Sequence, residues 1–231
     1  MLGFILSKLN LLILVTAMFA IIGFFTLGLA EISSVNEAKE LASRLTERSF
    51  ALANSSNFCF SDNFQLPENF YVAGKRVYYV LEIRKIEFGD AENPINSLVF
   101  SVYPREEIKK SYSTTDTDYT PNAIAADSFR TNAEIRLFGY EYEWENPTDS
   151  MIHSRPSDND FEVDSIFIDP QAADIQLNAI EMIREVKLGK PYLYVIGCPS
   201  AACSADKTAV GKSESVHPPS PDGSDEGGFK C

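Results

Sequence analysis

An uncharged apolar run near the amino terminus constrains this chain more than any other feature. Lys8 is followed by residues 9–30 without a charged side chain. About 22 residues at a rise of about 1.5 Å each give a helix of roughly 33 Å, close to the hydrocarbon thickness of a bilayer. Residues 1–30 are therefore predicted to form a transmembrane signal-anchor helix. A cleaved secretory signal, with Gly28-Leu29-Ala30 as its cleavage site, is the alternative interpretation.

The charges on either side of this run predict its orientation. Lys8 precedes the run, whereas Glu31, Glu37 and Glu40 follow it. The positive-inside rule then predicts a single-pass membrane protein with a cytoplasmic amino terminus and an extracytoplasmic carboxyl-terminal domain, at the cell surface or in a filament. The net charge of -13 excludes nucleic acid as a partner.

The helical pattern is predicted to continue past the apolar run as an amphipathic half over residues 31–56. Neither glycine nor proline interrupts this stretch, and Glu40 and Arg44 stand four residues apart on its charged side. Apolar residues recur on the other side at spacings of three and four: Val35, Ala38, Ala42, Leu45 and Leu52. The simplest prediction is one continuous helix over residues 4–54, with its outer half packed on a head.

Residues 57–198 are predicted to form that head, an α+β unit with an antiparallel sheet. Alternation of apolar and polar residues predicts a hairpin from two strands, one over residues 77–83 and one over 98–102. The same pattern predicts a strand at 133–137, and residues 105–130 are interpreted as a long surface loop. Residues 163–168 form a shorter predicted strand, and the apolar run 192–196 is typical of a central strand.

One further helix is predicted between the last two strands. Asp169 is a typical N-cap and Pro170 suits a first helical turn. Gly189 fits a helix end, and a buried stripe is expected from Ile175, Ile180, Ile183 and Val186. The predicted fold class is therefore α+β: a long amino-terminal helix packed on an antiparallel sheet, with one further helix.

Four cysteines, Cys59, Cys198, Cys203 and Cys231, are an even number in a chain predicted to lie in an oxidising compartment. Four cysteines allow three connectivities. The favoured hypothesis pairs Cys59 with Cys198 and Cys203 with Cys231, which would tether a polar tail over residues 199–231. Asn54 begins the sequon Asn54-Ser55-Ser56 and is a candidate N-glycosylation site.

No pattern of catalytic or cofactor-binding residues is found in the sequence. His153 and His217 lie in polar stretches without companion ligands, so no metal site is predicted. The alternating carboxylates from Asp158 to Asp164 are interpreted as a solvated acidic segment in preference to a calcium site. The chain is predicted not to be an enzyme and to need no cofactor.

The order of these parts resembles the type IV pilin family, in a divergent archaeal-type form. That family has a hydrophobic amino-terminal helix with an amphipathic second half, a sheet, and cysteines near the carboxyl end. The resemblance implies leader cleavage between Gly3 and Phe4. The chain departs from the family in two respects: Met1-Leu2 carries no basic charge, and Lys8 stands where the fifth mature residue is a glutamate.

Two functional hypotheses follow from the resemblance and the charge pattern. In the first, the protein is a structural subunit of a cell-surface, type IV pilus-like filament, assembled through its hydrophobic helix. In the second, it is a monomeric single-pass membrane protein whose acidic extracytoplasmic domain binds a surface protein or glycan. Residues 4–30 are expected to contact membrane lipid, copies of the same chain, or both.

Overall fold

The computed structural model describes residues 2–72, 75–89, 95–113, 120–145, 150–154, 162–172, 176–211 and 229. Within its helices and strands, the side chains outside this description are those of residues 2–7, 25–32, 72, 112–113, 141–145, 150–154, 209 and 211. The described residues form three helices: α1 (Leu2–Ala53), α2 (Arg105–Ser113) and α3 (Cys203–Gly211).

Thirteen strands make up the rest of the regular structure in these residues. In chain order they are β1 (Cys59–Gln65), β2 (Phe70–Val72), β3 (Lys75–Val77), β4 (Tyr79–Phe88), β5 (Ile95–Pro104), β6 (Ala125–Thr131), β7 (Glu134–Phe138), β8 (Glu141–Glu145), β9 (Ser150–Ser154), β10 (Glu162–Val163), β11 (Ser165–Ile168), β12 (Ala179–Lys187) and β13 (Lys190–Cys198).

Two larger sheets organise these strands. The five-stranded sheet has the order β1-β12-β13-β7-β10, in which β13 and β7 are parallel and the other neighbours are antiparallel. The four-stranded sheet has the order β11-β4-β5-β6 and is antiparallel throughout. The remaining strands form two ribbons, β2-β3 and β8-β9.

One hydrophobic core joins both sheets to the second half of α1. The five-stranded sheet contributes Ile135, Leu137, Ile180, Met182, Leu193 and Val195, and the four-stranded sheet contributes Leu81, Ile83, Leu98, Phe100, Val102 and Phe129. From α1 come Ala38, Leu41, Ala42, Leu45, Leu52 and Ala53. Burial of this helix face against two sheets fixes the direction in which α1 leaves the head.

Two smaller clusters cover the outer faces of the sheets. On the five-stranded sheet, Cys203 and Val210 of α3 pack with Phe138, Ile183, Tyr194 and Ile196. On the four-stranded sheet, Ile108 of α2 packs on Val80. Because both faces of β12 and β13 are covered, their side chains from Ala179 to Glu185 and from Leu193 to Cys198 are buried.

The predicted fold class is wrong, because sheet is the dominant structure of the described residues. The strands form two larger sheets instead of the one antiparallel sheet expected: the four-stranded sheet is antiparallel, but the five-stranded sheet is mixed. The expected surface loop at 105–130 contains α2 and β6. The predicted hairpin is confirmed as β4 and β5, and the predicted strands at 133–137 and 192–196 are confirmed as β7 and β13.

The further helix predicted over residues 169–189 is also wrong. Asp169 does receive a hydrogen bond from the Gln171 amide at 2.9 Å, as an N-cap would, but only a turn follows. The chain then forms β12, which turns into β13 through Leu188 and Gly189, both with positive φ (51° and 80°). Such a pair is typical of a two-residue type I′ hairpin turn, so Gly189 serves a turn instead of a helix end.

The predicted placement of α1 across a membrane is wrong. Among the helices of the described residues, none combines the length and the apolar character that a membrane crossing requires. The single-pass topology and the surface location that depended on it are therefore withdrawn.

Candidate assembly surface

Residues 9–24 of α1, called here the apolar segment, form a rod that is exposed on all sides. Every residue from 8 to 24 is exposed except Gly23, which is half-buried. The large exposed side chains are Leu9, Leu11, Leu12, Ile13, Leu14, Val15, Met18, Phe19, Ile21, Ile22 and Phe24. Monomeric proteins in water rarely expose apolar patches of this extent, so the segment has the composition of an interaction surface.

Few polar groups interrupt the apolar segment. Lys8 stands just before it, and the segment itself contains only Asn10 and Thr16 as polar residues. The Thr16 hydroxyl donates a hydrogen bond of 2.6 Å to the carbonyl oxygen of Leu12, one turn earlier, so its polarity is satisfied within the helix. The segment can therefore be surrounded by apolar groups without leaving this hydroxyl unpaired.

The second half of α1 is covered by the head on one side only. Ala38, Ala42 and Leu45 are buried in the core, as their spacing predicts. On the opposite side the exposed Arg44 and Glu40 form an ion pair one turn apart. Exposed pairs of this kind contribute little to stability, so the apolar face holds the helix on the head.

A polar seam between α1 and the edge of the five-stranded sheet fixes the rotation of the helix. The Arg48 guanidinium forms a two-pronged ion pair with Asp62 of β1, with 2.7 Å between Nε and Oδ2. It also lies over the Phe64 ring, 5.0 Å from the centroid. The neighbouring Ser49 hydroxyl is buried and donates to Met182 Sδ at 2.9 Å. Together these contacts define which side of α1 faces the sheet.

The carboxyl end of α1 is capped by a side chain from β12. Arg184 is buried, and its Nε donates a hydrogen bond of 3.1 Å to the carbonyl oxygen of Ala53, the last residue of α1. Its Nη1 donates to the carbonyl oxygen of Asn57. The last carbonyl groups of a helix lack partners within the helix, and a cation there also complements the helix dipole. Arg184 therefore anchors the helix end to the centre of the head.

Buried and half-buried polar side chains also form pairs around the four-stranded sheet. The Asp169 carboxylate is fully buried and pairs with Arg105 at 2.7 Å. The Tyr79 hydroxyl donates to the Pro67 carbonyl oxygen at 2.6 Å, and burial, followed by the nearby Asp169 charge, raises the pKa of this tyrosine. Burial, followed by the charge of Glu82, raises the pKa of Tyr103 too. These phenols stay neutral and act as structural hydrogen-bond donors.

The predicted site residues do not form a common site in the described structure. Asn54 is exposed at the end of α1, and its side-chain amide donates to the Phe50 carbonyl oxygen at 2.9 Å. The predicted cleavage site, Gly3-Phe4, lies in the part of α1 whose side chains are outside the description. Asp158 and Asp160 of the acidic segment lie outside the described residues altogether. No cluster that could hold a metal ion is found within the described part of the chain.

The favoured disulfide connectivity is wrong. Cys198 and Cys203 are bonded to each other, with 5.1 Å between their Cα atoms. The turn after β13 brings these cysteines together at the start of α3, which the sequence did not predict because residues 199–231 were interpreted as a tail. Cys59 is disulfide-bonded as well. Cys231 lies outside the described residues.

The seam residues Arg48, Asp62 and Arg184 were not predicted from the sequence. Arg184 carried a usable signal, since a charged residue inside a buried run requires a specific partner. Arg48 and Asp62 carried none, because each is ordinary on a solvated surface.

No family model, characterised protein or solved structure matches this chain.

Proposed function

We propose that this protein is a structural subunit of a pilus-like filament, in which copies of the chain associate through the apolar segment. The observation that carries the proposal is the exposure of the apolar segment on all sides. Each large apolar side chain gains about 1.5–3 kcal/mol when it is removed from water. The described residues of the head cover none of these side chains fully, so the apolar segment is available to a partner surface.

The charge distribution supports a second copy of the chain as that surface. The apolar segment carries no charge, so copies can pack along it without electrostatic repulsion. The remainder of the chain carries the net charge of -13 and would repel its neighbours at close range. Copies arranged with their apolar segments together and their heads apart satisfy both conditions.

The attachment of α1 to the head supports an ordered assembly. The core face around Leu45, the Arg48–Asp62 pair and the Arg184 cap hold the helix in one orientation. A rigidly held rod lets every subunit present its head at the same angle, which repeated, helical association requires. The order of parts, which resembles that of type IV pilins, supports the same proposal.

The test compares two phenylalanine substitutions in the purified full-length chain. Phe19 lies in the apolar segment and is 70% exposed, and Phe58 lies on the head and is 79% exposed. Phe19→Glu should abolish large assemblies, because it places a charge in the buried centre of the proposed interface, whereas Phe58→Glu should retain them. Sedimentation velocity and negative-stain electron microscopy measure both variants beside the unsubstituted chain.

Two outcomes would contradict the proposal. One is an unsubstituted chain that sediments as a monomer at all concentrations tested. The other is a Phe19→Glu variant that assembles as well as Phe58→Glu does. Circular dichroism of both variants, which should show the same folded head, separates a loss of association from a loss of folding.

A further inference from the structure

The turn between β12 and β13 holds a leucine in an unfavourable conformation and in full contact with water. Leu188 has a φ of 51°, and its side chain is fully exposed in the described structure. Positive φ is unusual for a residue with a large side chain, and a turn of this type favours asparagine or glycine. Leu188 therefore contributes little to its own fold, whereas a contact with a partner surface would bury its side chain.

Two lysines flank this leucine. Lys187 and Lys190 stand opposite each other where the turn closes, and residues 187–190 are called here the hairpin tip. Lys190 is exposed, and Lys187 is half-buried with its Nζ 3.3 Å from Glu185 Oε2. The hairpin tip is thus a basic site with an apolar centre on a protein whose net charge is -13. Its chemistry suits an acidic surface with an apolar floor.

A groove between α1 and the β1–β2 connection has this chemistry. Its volume is about 520 Å³. Its floor contains buried apolar side chains, among them Leu41, Phe64 and Leu66. Glu37, Glu40 and Arg44 line its α1 side, and Arg44 is ion-paired with Glu40. These three side chains give the groove a net negative charge, and Glu37 is exposed.

We propose that the hairpin tip of one copy docks in this groove of the next copy, a contact between heads that rests on the proposed filament. The hairpin tip lies beyond the start of β1, because Cys59 stands opposite Glu185. The groove lies at the other end of this strand, where Phe64 and Leu66 line it. The seven residues of β1 span about 23 Å, so the hairpin tip cannot reach the groove of its own chain.

The hairpin tip and the groove also lie at different heights along α1. Arg184, close to the hairpin tip on β12, is bonded to Ala53 at the end of the helix, whereas Leu41 lies in the groove. The helix rises about 18 Å between residues 41 and 53. The proposed contact therefore displaces the next copy along α1 and uses different surfaces on the two partners. Head-to-tail contacts of this kind continue into an open helical filament when they do not close a ring.

Photo-crosslinking of the full-length chain tests the contact directly. One copy carries p-benzoylphenylalanine in place of Leu188, and the other is the unsubstituted chain labelled with heavy nitrogen. The expected product joins position 188 to labelled peptides from residues 37–44 or 64–71, which contain the groove residues. Products confined to a single chain, or to peptides from other surfaces, would overturn the inference.

Charge reversal tests whether the basic tip and the acidic groove recognise each other. Lys190→Glu makes both surfaces of a copy acidic, and Glu37→Lys makes both basic. Each variant alone should need an about tenfold or higher concentration to assemble, because like charges then meet. An equimolar mixture should assemble as the unsubstituted chain does, since every hairpin tip can then meet a groove of opposite charge.

Arg130→Glu is the matched control for these variants. It reverses the charge of an exposed side chain on the four-stranded sheet and should leave assembly unchanged. Two results would contradict the proposed contact: single variants that assemble as readily as this control, or a mixture that does not recover assembly.

Leu188→Asn separates a role in association from a role in folding. Asparagine suits positive φ in this turn, so the melting temperature of the head should not fall, while the concentration needed for assembly should rise. A lower melting temperature with unchanged assembly would show that Leu188 serves the fold and would overturn the inference. Filaments that persist unchanged in every tip variant would overturn the tip–groove contact alone, whereas an unsubstituted chain that stays monomeric would overturn the proposed function as well.

Discussion

The two halves of α1 belong to one helix and differ in what covers them. In the second half, Ala38, Leu45 and Leu52 are buried against two sheets, and the opposite side carries charged residues. The apolar segment has no charged side. It is apolar around its whole circumference, and all of its faces are exposed. An amphipathic helix buries its apolar face on the head, whereas a helix that is apolar all round must be covered on every side. The proposed association of apolar segments would provide that cover.

This difference predicts unequal effects from the same substitution in the two halves. Leu45→Ala removes a side chain with 0% exposure, and Leu12→Ala removes one with 65% exposure. We expect Leu45→Ala to lower the free energy of unfolding by about 2–5 kcal/mol, because a cavity forms in the core. Leu12→Ala should change it by less than about 0.5 kcal/mol. Urea denaturation of the dissociated chain, followed by circular dichroism, measures both values.

Similar losses of unfolding free energy in Leu45→Ala and Leu12→Ala would contradict this prediction. Such a result would mean that the apolar segment packs on the head of its own chain. Self-association of the same two variants gives the opposite order. Leu12→Ala should weaken assembly directly, whereas Leu45→Ala should weaken it only as far as it unfolds the head.

Substitution of Arg184, which caps the carboxyl end of α1, should give the next largest loss of unfolding free energy. Arg184→Met keeps most of the side-chain volume but removes the hydrogen bonds to the carbonyl oxygens of Ala53 and Asn57. We expect a loss of about 1–3 kcal/mol, since these buried carbonyl groups lose a charged donor. Hydrogen exchange should show reduced amide protection in the last turns of α1 while the centre of the four-stranded sheet keeps its protection.

Arg44→Met is the matched control for this prediction. It removes an exposed arginine from the same helix, and only the ion pair with Glu40 is lost. Its effect should stay below about 0.5 kcal/mol. Equal losses in the two variants would show that Arg184 contributes no more than a surface charge.

Local patterns predicted the elements that have one dominant partner surface. The alternation in β4, β5 and β7 has one face towards the core, and these strands were predicted correctly. The spacing of Ala38, Ala42 and Leu45 likewise predicted the buried side of α1. In each case the periodicity of two or of three to four was sufficient, because most residues on the other face are polar even where they are buried, as Glu82 and Ser101 are.

The failure at β12 has a physical cause in the burial of both its faces. Glu181, Arg184 and Glu185 are buried, so polarity does not alternate along the strand, and their spacing imitates the polar side of a helix. Their partners come from distant segments: Asn63 and Lys207 contact Glu181, and Arg184 contacts the end of α1. Without those partners in view, a run of this kind predicts a helix as well as a strand.

The candidate surface was predicted from the sequence only in its composition. The apolar run was evident, but its interpretation as a membrane span is overturned. What the sequence could not provide is the pairing of Arg48 with Asp62 and of Arg184 with Ala53. The partners lie 14 and 131 residues apart in the chain. The orientation of the rod relative to the head depends on these long-range contacts.

The smallest predicted effect is an alkaline weakening of the head. Burial raises the pKa of Tyr79 and of Tyr194 well above the ordinary value of 10.0. Their contribution to stability is fully present below pH 10 and is lost as the pH rises above it, because the unfolded chain releases these protons first. Each phenol can contribute a fall of at most about 1.4 kcal/mol per pH unit in that range.

Tyr79→Phe isolates one of these contributions. The variant should be less stable at pH 8, because it lacks the hydrogen bond to the Pro67 carbonyl oxygen. From pH 10 to pH 11 its free energy of unfolding should fall about 1 kcal/mol less than that of the unsubstituted chain. Tyr71→Phe, which alters an exposed ring, should leave the slope unchanged. The apolar segment contains no ionisable side chain, so its self-association should not follow this pH course; an association that collapsed together with the head would show that the two halves of α1 are not independent.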